Sequence, residues 1–245
     1  SAGGGAFSLP ERKEYALPET GSQPKRSGGF SGGATACGIR VSVEKRIFAV
    51  RPLTCGARRT MKESWKPGTM IYPLPAVLVG CGDAPDNWNL LTVAWTGTVC
   101  TAPPMCYVSV RPERHSHALI ARTGEFTINL TTAAMARAVD WCGVRSGRDY
   151  DKFRETGLTP LRGAVVAAPA LEESPVVVEC RVRQILPLGS HDMFLAEVVN
   201  VLVDDRYIDS ATGRFDLERA GLVAYSHGEY FRLGELIGHF GWSVR

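Results

Sequence analysis

The chain has 245 residues, 44% of them hydrophobic, which is enough for a packed core in one large domain or two small ones. Residues 1–60 hold ten Lys or Arg and four Asp or Glu, a net charge of +6; the whole-chain charge of +3 therefore leaves −3 for residues 61–245. This slightly acidic remainder has no clustered basic face, which disfavours binding to nucleic acid. No segment approaches the roughly 20 continuous apolar residues of a membrane span. Neither nucleic acid nor membrane is an expected partner.

Cysteine and histidine spacing gives no metal-binding pattern. Seven cysteines stand at irregular intervals without a Cys-x-x-Cys pair, which argues against a zinc ribbon, an iron–sulfur run or a redox dithiol. His115 and His117 diverge by about 200° on a helix with 3.6 residues per turn, so they do not form half of a metal site. We therefore expect buried thiols, no metal and a reducing, cytoplasmic compartment.

The predicted elements begin after a long polar leader. Residues 1–36 are rich in Gly, Ser and Pro, and such a segment cannot bury enough apolar surface to offset its ordering entropy. Residues 38–50 could add one short strand. The sequence thus predicts a flexible, Gly- and Arg-rich extension at the N-terminus.

The apolar pattern that follows has mostly a period of two residues, which is typical of β-strands. Strands are predicted at 75–82, 90–100, 105–111, 125–130, 176–188 and 193–203. Short helices are predicted at 114–122 and 132–141. Long antiparallel strands with only short helices between them favour a closed or nearly closed barrel. A Rossmann domain is disfavoured because no Gly-x-Gly-x-x-Gly motif opens a helix.

Two neighbouring segments carry the candidate chemistry. The run 89–97, NLLTVAWTG, combines strand backbone, small residues and an indole, which suit a flat polar ring. The run 107–116, YVSVRPERHS, ends in Arg111, Arg114 and Ser116. Two guanidinium groups beside a hydroxyl near a helix N-terminus suit a phosphate. Glu113 would repel that phosphate and is therefore expected to point outward.

The order and spacing of these runs resemble the flavin reductase-like, FMN-binding split-barrel family, and within it the flavoredoxins. Further motifs of the resemblance are GEFTINL at 124–130, WCG at 141–143, SGRDYDKF at 146–153 and GEYFRLGE at 228–235. The resemblance runs from about Met61 to Arg245. It implies a flavin reductase-like FMN-binding domain over 61–245, with 1–60 either an upstream extension or a gene-start error. The implied fold is mainly β, a six-stranded antiparallel split barrel with short peripheral helices, paired as a homodimer.

The resemblance also assigns roles to residues that alone would have simpler interpretations. Asn89 could be a turn residue and Trp95 a core indole; Lys152 would be a surface lysine and His191 a hairpin residue. The family pattern places Lys152 near the pyrimidine edge of the flavin and His191 near its ring, as a candidate catalytic proton relay. The implied FMN contacts are Asn89, Thr92, Val93, Ala94, Trp95, Thr96, Arg111, Arg114, Ser116, Asn129, Ser146 and Lys152.

The implied activity is that of an FMN-dependent oxidoreductase that passes electrons from NAD(P)H or a redox partner to an acceptor. Two alternatives remain open from the sequence. One is a flavin reductase that uses NAD(P)H directly; the other is a flavoredoxin-type electron carrier that does not. A weaker third option is the pyridoxamine-phosphate oxidase side of the same barrel, for which no second phosphate pocket can be located in the sequence.

Overall fold

The computed structural model describes residues 62–216 and 218–244. The predicted extension over 1–60, with its possible strand at 38–50, lies outside the described residues. All elements below belong to the unit Trp65–Arg245. In chain order the strands are β1 (Leu74–Pro75), β2 (Val77–Cys81), β3 (Asn89–Val93), β4 (Thr96–Thr101), β5 (Pro104–Val110), β6 (Glu125–Leu130), β7 (Pro160–Arg162), β8 (Pro169–Leu171), β9 (Val176–Pro187), β10 (Asp192–Val203), β11 (Val223–Ser226) and β12 (Glu229–Arg232). The helices are α1 (His115–Thr123), α2 (Ala136–Val144) and α3 (Lys152–Thr156).

Seven strands form one antiparallel sheet in the order β3-β2-β6-β9-β10-β5-β4. β3 and β4 stand at opposite ends of this order, yet only Ala94 and Trp95 connect them along the chain. The sheet must therefore curl until its two ends meet, and the Ser109 N–H donates to the Trp95 carbonyl at 2.9 Å. The predicted mainly β split barrel is confirmed. All six predicted strands are present, and the one predicted at 90–100 is broken into β3 and β4.

The barrel interior is filled by alternate residues of these strands. Val79, Val108, Phe126 and Phe194 each have no measurable exposure and belong to one apolar cluster. A second cluster lies where α2 packs on the other face of β2 and β3, and it includes Leu78. β2 is thus buried on both faces, which explains its unbroken apolar sequence. Burial of each large side chain typically stabilises the fold by about 1.5–3 kcal/mol.

The short helices lie close to their predicted positions. α1 ends at Gly124, whose positive φ of 69° lets its N–H return to the Ile120 carbonyl at 2.9 Å. α2 follows a single 3-10 turn, Ala133–Met135, within the region predicted as helix. α3 begins after Asp151, whose carboxylate accepts from the backbone N–H groups of Phe153 and Arg154. The helices therefore pack around the barrel and leave its β3–β4 junction accessible.

A small sheet of order β1-β11-β12 accompanies the barrel, and the sequence did not predict its strands. Its β11–β12 hairpin turns at His227 and Gly228, both with positive φ, as expected of a tight two-residue turn. This hairpin carries Tyr225 and Tyr230. Within residues 62–216 and 218–244, no helix has the length and apolar character needed to cross a membrane.

Candidate functional site

A cleft with two lobes lies at the junction between β3 and β4. The lobes share Leu91, Arg111 and Arg114 in their walls, so they are continuous. Their volumes are about 200 Å³ and about 250 Å³. Together they fall within the roughly 300–1,000 Å³ typical of small-molecule sites.

The first lobe, here called the aromatic lobe, is lined by residues 91–95 and by the rings of Trp95, His191, Tyr225 and Tyr230. The Trp95 and His191 rings are stacked, with centroids 6.1 Å apart and planes 16° apart. The Tyr225 and Tyr230 rings lie side by side, with centroids 5.6 Å apart. Burial, reinforced by Asp140, raises the pKa of Tyr230 to about 12, so this phenol stays neutral. The lobe therefore presents flat apolar surfaces to a ligand.

The backbone of β3 adds polar groups to this lobe. In the described part of the chain β3 pairs with β2 on one side only. Its other edge keeps N–H and C=O groups that no neighbouring strand takes up. Thr92 and Val93 close this strand and line the lobe, and the chain continues through Ala94 and Trp95 into β4. A heterocycle with several donors and acceptors could bind along such an edge.

The second lobe, here called the basic lobe, is lined by five cationic side chains and one carboxylate. The cations are Arg111, Arg114, Arg145, Arg148 and Lys152. The carboxylate is Glu113, which pairs with Arg111 at 3.1 Å. The expectation that Glu113 points away is therefore wrong. Both partners are more than half exposed, so this ion pair contributes little to stability and either side chain can turn toward a ligand.

Two buried polar residues form the inner wall of the basic lobe. Asn89 and Ser116 are 4% and 2% exposed, and the Asn89 amide donates to the Ser116 hydroxyl oxygen at 2.7 Å. Gly147 lies so close that a Cβ there would stand 2.1 Å from Asn89 Oδ1. Only glycine lets the loop between α2 and α3 approach this far. Below them, burial raises the pKa of the Cys81 thiol to about 11, which keeps it uncharged.

Lys152 is the most unusual group of the lobe because it is only 3% exposed. Its Nζ donates to the Cys142 carbonyl at 2.7 Å, and within the described residues it takes part in no ion pair. Burial lowers the pKa of Lys152, which reflects the cost of holding an ammonium away from water. An anion bound in the lobe would offset that cost. The structure places Lys152 among the guanidinium groups of the basic lobe, and the implied position near the pyrimidine edge of a flavin stays a prediction.

The structure brings most of the predicted site residues into the cleft. Thr92, Val93, Ala94, Trp95 and His191 line the aromatic lobe; Asn89, Ser116, Ser146 and Lys152 line the basic lobe; Arg111 and Arg114 line both.

Two predicted contacts are not in the cleft. The Thr96 hydroxyl donates to the Tyr107 carbonyl at 2.6 Å. The fully buried Asn129 side chain donates to the Leu78 carbonyl and accepts from the Leu171 N–H, both at 2.9 Å. These side chains tie strands and loops together and line neither lobe, and a cofactor contact at Thr96 and Asn129 stays a prediction.

Sequence reasoning missed several lining residues: Ser109, Arg145, Arg148, Tyr225 and Tyr230. Tyr230 and Arg148 fall inside the motifs at 228–235 and 146–153, which was the available signal. The two histidines predicted to diverge do so. His115 lines the basic lobe, whereas His117 pairs with Asp192 at 2.8 Å.

Comparisons with known proteins identify relatives of this domain. The fold is similar to flavoredoxin of Desulfovibrio vulgaris (Miyazaki F), with a TM-score of 0.69, 31% identity, and coverage of 76% of this chain and 100% of that one. It is also similar to an FMN-binding protein from Thermus thermophilus solved with 1-cyclohex-2-enone, with a TM-score of 0.61, 26% identity, and coverage of 74% and 99%.

A sequence relative is the reductase component of a 4-nitrophenol 4-monooxygenase/4-nitrocatechol 2-monooxygenase from Rhodococcus opacus. It is 30% identical over 111 residues, which are 44% of this chain and 55% of that protein. The model of the flavin reductase like domain family matches residues 69–234, well over half of the chain. The chain therefore belongs to the flavin reductase-like domain family.

Proposed function

We propose that the two-lobed cleft binds FMN, with the phosphate in the basic lobe and the isoalloxazine ring in the aromatic lobe, and that the protein is a flavin-dependent oxidoreductase. The observation that carries this proposal is that Lys152 is buried, forms no ion pair among the described residues, and lines the same lobe as Ser116, Arg111 and Arg114. Such a donor set is suited to a phosphate ester. The relatives that are a flavoredoxin and an FMN-binding protein support the same choice of ligand.

The basic lobe fits a phosphate in charge and in donor count. A phosphate monoester carries a charge of about −1.5 to −2 near pH 7. Arg111 and Arg114 offer planar forks, the Lys152 ammonium retains two protons beyond the one given to Cys142, and Ser116 supplies a hydroxyl near the α1 N-terminus. Each charge-assisted bond of this type typically contributes about 1.5–3 kcal/mol.

The aromatic lobe fits a flat ring. The free edge of β3 supplies backbone donors and acceptors, and the stacked Trp95 and His191 rings supply an apolar wall. Bound FMN would supply the redox chemistry of its ring, while the chain binds, orients and tunes it. His191 contacts the Ser190 hydroxyl through Nδ1 at 3.0 Å, which fixes the orientation of the imidazole. We propose His191 as the proton-relaying residue at this ring.

Two candidates remain for the electron donor. The relative that is a monooxygenase reductase component supports direct use of NAD(P)H, and the flavoredoxin relative supports reduction by a redox protein. We favour the flavin reductase-type activity, with the carrier as the second candidate. A homodimer is part of the proposal, because exposed apolar side chains are concentrated near the C-terminus, at Leu233, Leu236, Ile237, Phe240 and Trp242. Residues 61–245 alone are proposed to suffice for FMN binding.

Two measurements test the proposal. Fluorescence titration should show that FMN binds much more tightly than riboflavin, because only FMN reaches the basic lobe. Equal affinities would remove the phosphate assignment, and a chain that binds neither would remove the whole proposal. Anaerobic addition of NADH or NADPH to the FMN-loaded protein should then bleach the visible flavin bands. Persistence of the bands with both nucleotides would select the carrier.

A further inference from the structure

The basic lobe holds more positive charge than one phosphate needs. Its five cations and one carboxylate give a net charge of +4. His115 adds none when neutral, and its pKa is lowered by burial and by the nearby Arg148 and Lys152 charges. A single phosphate monoester brings only about −1.5 to −2. Roughly half of the charge in the lobe is left for another anion.

Two exposed arginines of the basic lobe are not part of the aromatic lobe. Arg111 and Arg114 line both lobes, whereas Arg145 and Arg148 line the basic lobe alone. Within the described residues neither Arg145 nor Arg148 takes part in an ion pair. The guanidinium of Arg145 lies 5.6 Å from the centre of the Tyr150 ring. These two arginines, called here the outer pair, have no carboxylate to neutralise them.

The backbone that carries the outer pair is fixed against the inner wall. Arg145 closes α2 by donating its N–H to the Trp141 carbonyl at 3.0 Å. The Arg148 N–H donates to the Ser146 hydroxyl at 3.2 Å. Between them, Gly147 packs directly on Asn89. The outer pair is therefore presented by a loop whose position is set by the same residues that shape the proposed phosphate site.

We propose that Arg145 and Arg148 form a second anion subsite, which binds the pyrophosphate of a pyridine nucleotide while the FMN phosphate contacts Arg111, Arg114 and Lys152. This inference rests on the proposed function. Two anionic ligands bound together match the charge of the lobe, which a single ligand does not. If FAD were bound in place of FMN, the same excess of positive charge would remain in the basic lobe, because the pyrophosphate of FAD carries roughly the charge of the FMN phosphate.

The shape of the lobe also favours a small ligand over an acidic protein. The outer pair lines a concave space of about 250 Å³ that continues into the aromatic lobe. A pyridine dinucleotide has a nicotinamide and an adenine ring joined through one pyrophosphate, and the two lobes offer rings at one end and guanidinium groups at the other. A protein partner would need exposed cations on a broader, flatter surface.

The test uses ADP-ribose, which carries the pyrophosphate without the nicotinamide, and the full chain loaded with FMN. Calorimetry should show that ADP-ribose binds, and the double variant R145Q/R148Q should weaken that binding about tenfold or more. The same variant should weaken FMN binding several times less than ADP-ribose binding, because Arg145 and Arg148 would act on the FMN phosphate only at longer range. The control R137Q/R162Q removes two exposed charges outside both lobes and should change neither affinity by more than about twofold.

Three results would overturn the inference. First, if ADP-ribose does not bind the FMN-loaded parent protein, the outer pair is not a pyrophosphate subsite. Equal losses for ADP-ribose and FMN in R145Q/R148Q place the outer pair on the FMN phosphate itself. An apo protein that binds FAD far more tightly than FMN, and loses that preference in R145Q/R148Q, assigns the subsite to FAD. Failure of the proposed function is seen separately, as a parent protein that binds no FMN.

Discussion

Replacement of Lys152 by Met tests the central feature of the site. The change keeps the length of a 3% exposed side chain but removes its ammonium and its bond to the Cys142 carbonyl. If the ammonium holds the FMN phosphate, the loss of one charge-assisted bond, about 1.5–3 kcal/mol, should weaken FMN binding roughly tenfold to a hundredfold. Riboflavin affinity should not change, because riboflavin has no phosphate.

The same variant should behave differently without a ligand. A buried ammonium without a carboxylate partner opposes folding, so the apo Lys152→Met protein should melt at the same temperature as the parent or above it. The measurements are fluorescence titration with both flavins and thermal melting of the apo protein, with exposed Lys66→Met as the matched control. Unchanged FMN affinity together with a lower flavin midpoint potential would refute the phosphate role and restore the sequence-based placement at the pyrimidine edge.

Three further outcomes are expected. Gly147→Ala should weaken FMN binding while the barrel stays folded, because the new Cβ would stand 2.1 Å from Asn89 Oδ1; flavin content and thermal stability measured together would separate this from unfolding. His191→Ala should retain FMN and change its midpoint potential, because the imidazole lines the lobe proposed for the ring; an unchanged potential in potentiometric titration would contradict this. Arg122→Gln should remove the bond that depresses the Asp83 pKa to about 2. Because its pKa is lowered, the Asp83 carboxylate stabilises the fold above its ordinary pKa of 3.8 and loses this effect as the pH falls through about 2. The variant should therefore melt at a lower temperature than the parent near pH 6 and at the same temperature near pH 2. An equal difference in melting temperature at both pH values would contradict this.

The barrel was predictable because its strands alternate apolar and polar residues over long stretches. The break at Ala94 and Trp95 was not, since the apolar pattern runs through it without interruption. The break is imposed by closure, as the chain must pass there from one end of the sheet to the other. Barrel closure brings together the two ends of the sheet, β3 and β4, and the local alternation of apolar and polar residues does not reveal it.

Single residues show the same effect of contacts made only in the folded chain. Asn129 occupies the predicted strand, but the partners that use its amide, Leu78 and Leu171, are 51 and 42 residues away. Lys152 stands in a polar segment that suggests solvent exposure, yet α2 brings the Cys142 carbonyl over it. In both cases the sequence located the residue, and contacts made in the folded chain, 10 to 51 residues away, decided what its side chain does.

The two lobes differ in how much of their chemistry is local. The cations of the basic lobe come from two short segments, one from β5 into α1 and one from α2 into α3. Such clusters are visible in a sequence because neighbouring charges point to a shared anion. The aromatic lobe combines residues 91–95 with His191, 96 residues beyond Trp95, and with the β11–β12 hairpin, which begins 128 residues beyond Trp95. Its rings meet only once the barrel has closed, so Tyr225 and Tyr230 could not be found from local spacing, whereas Arg111, Arg114 and Ser116 could.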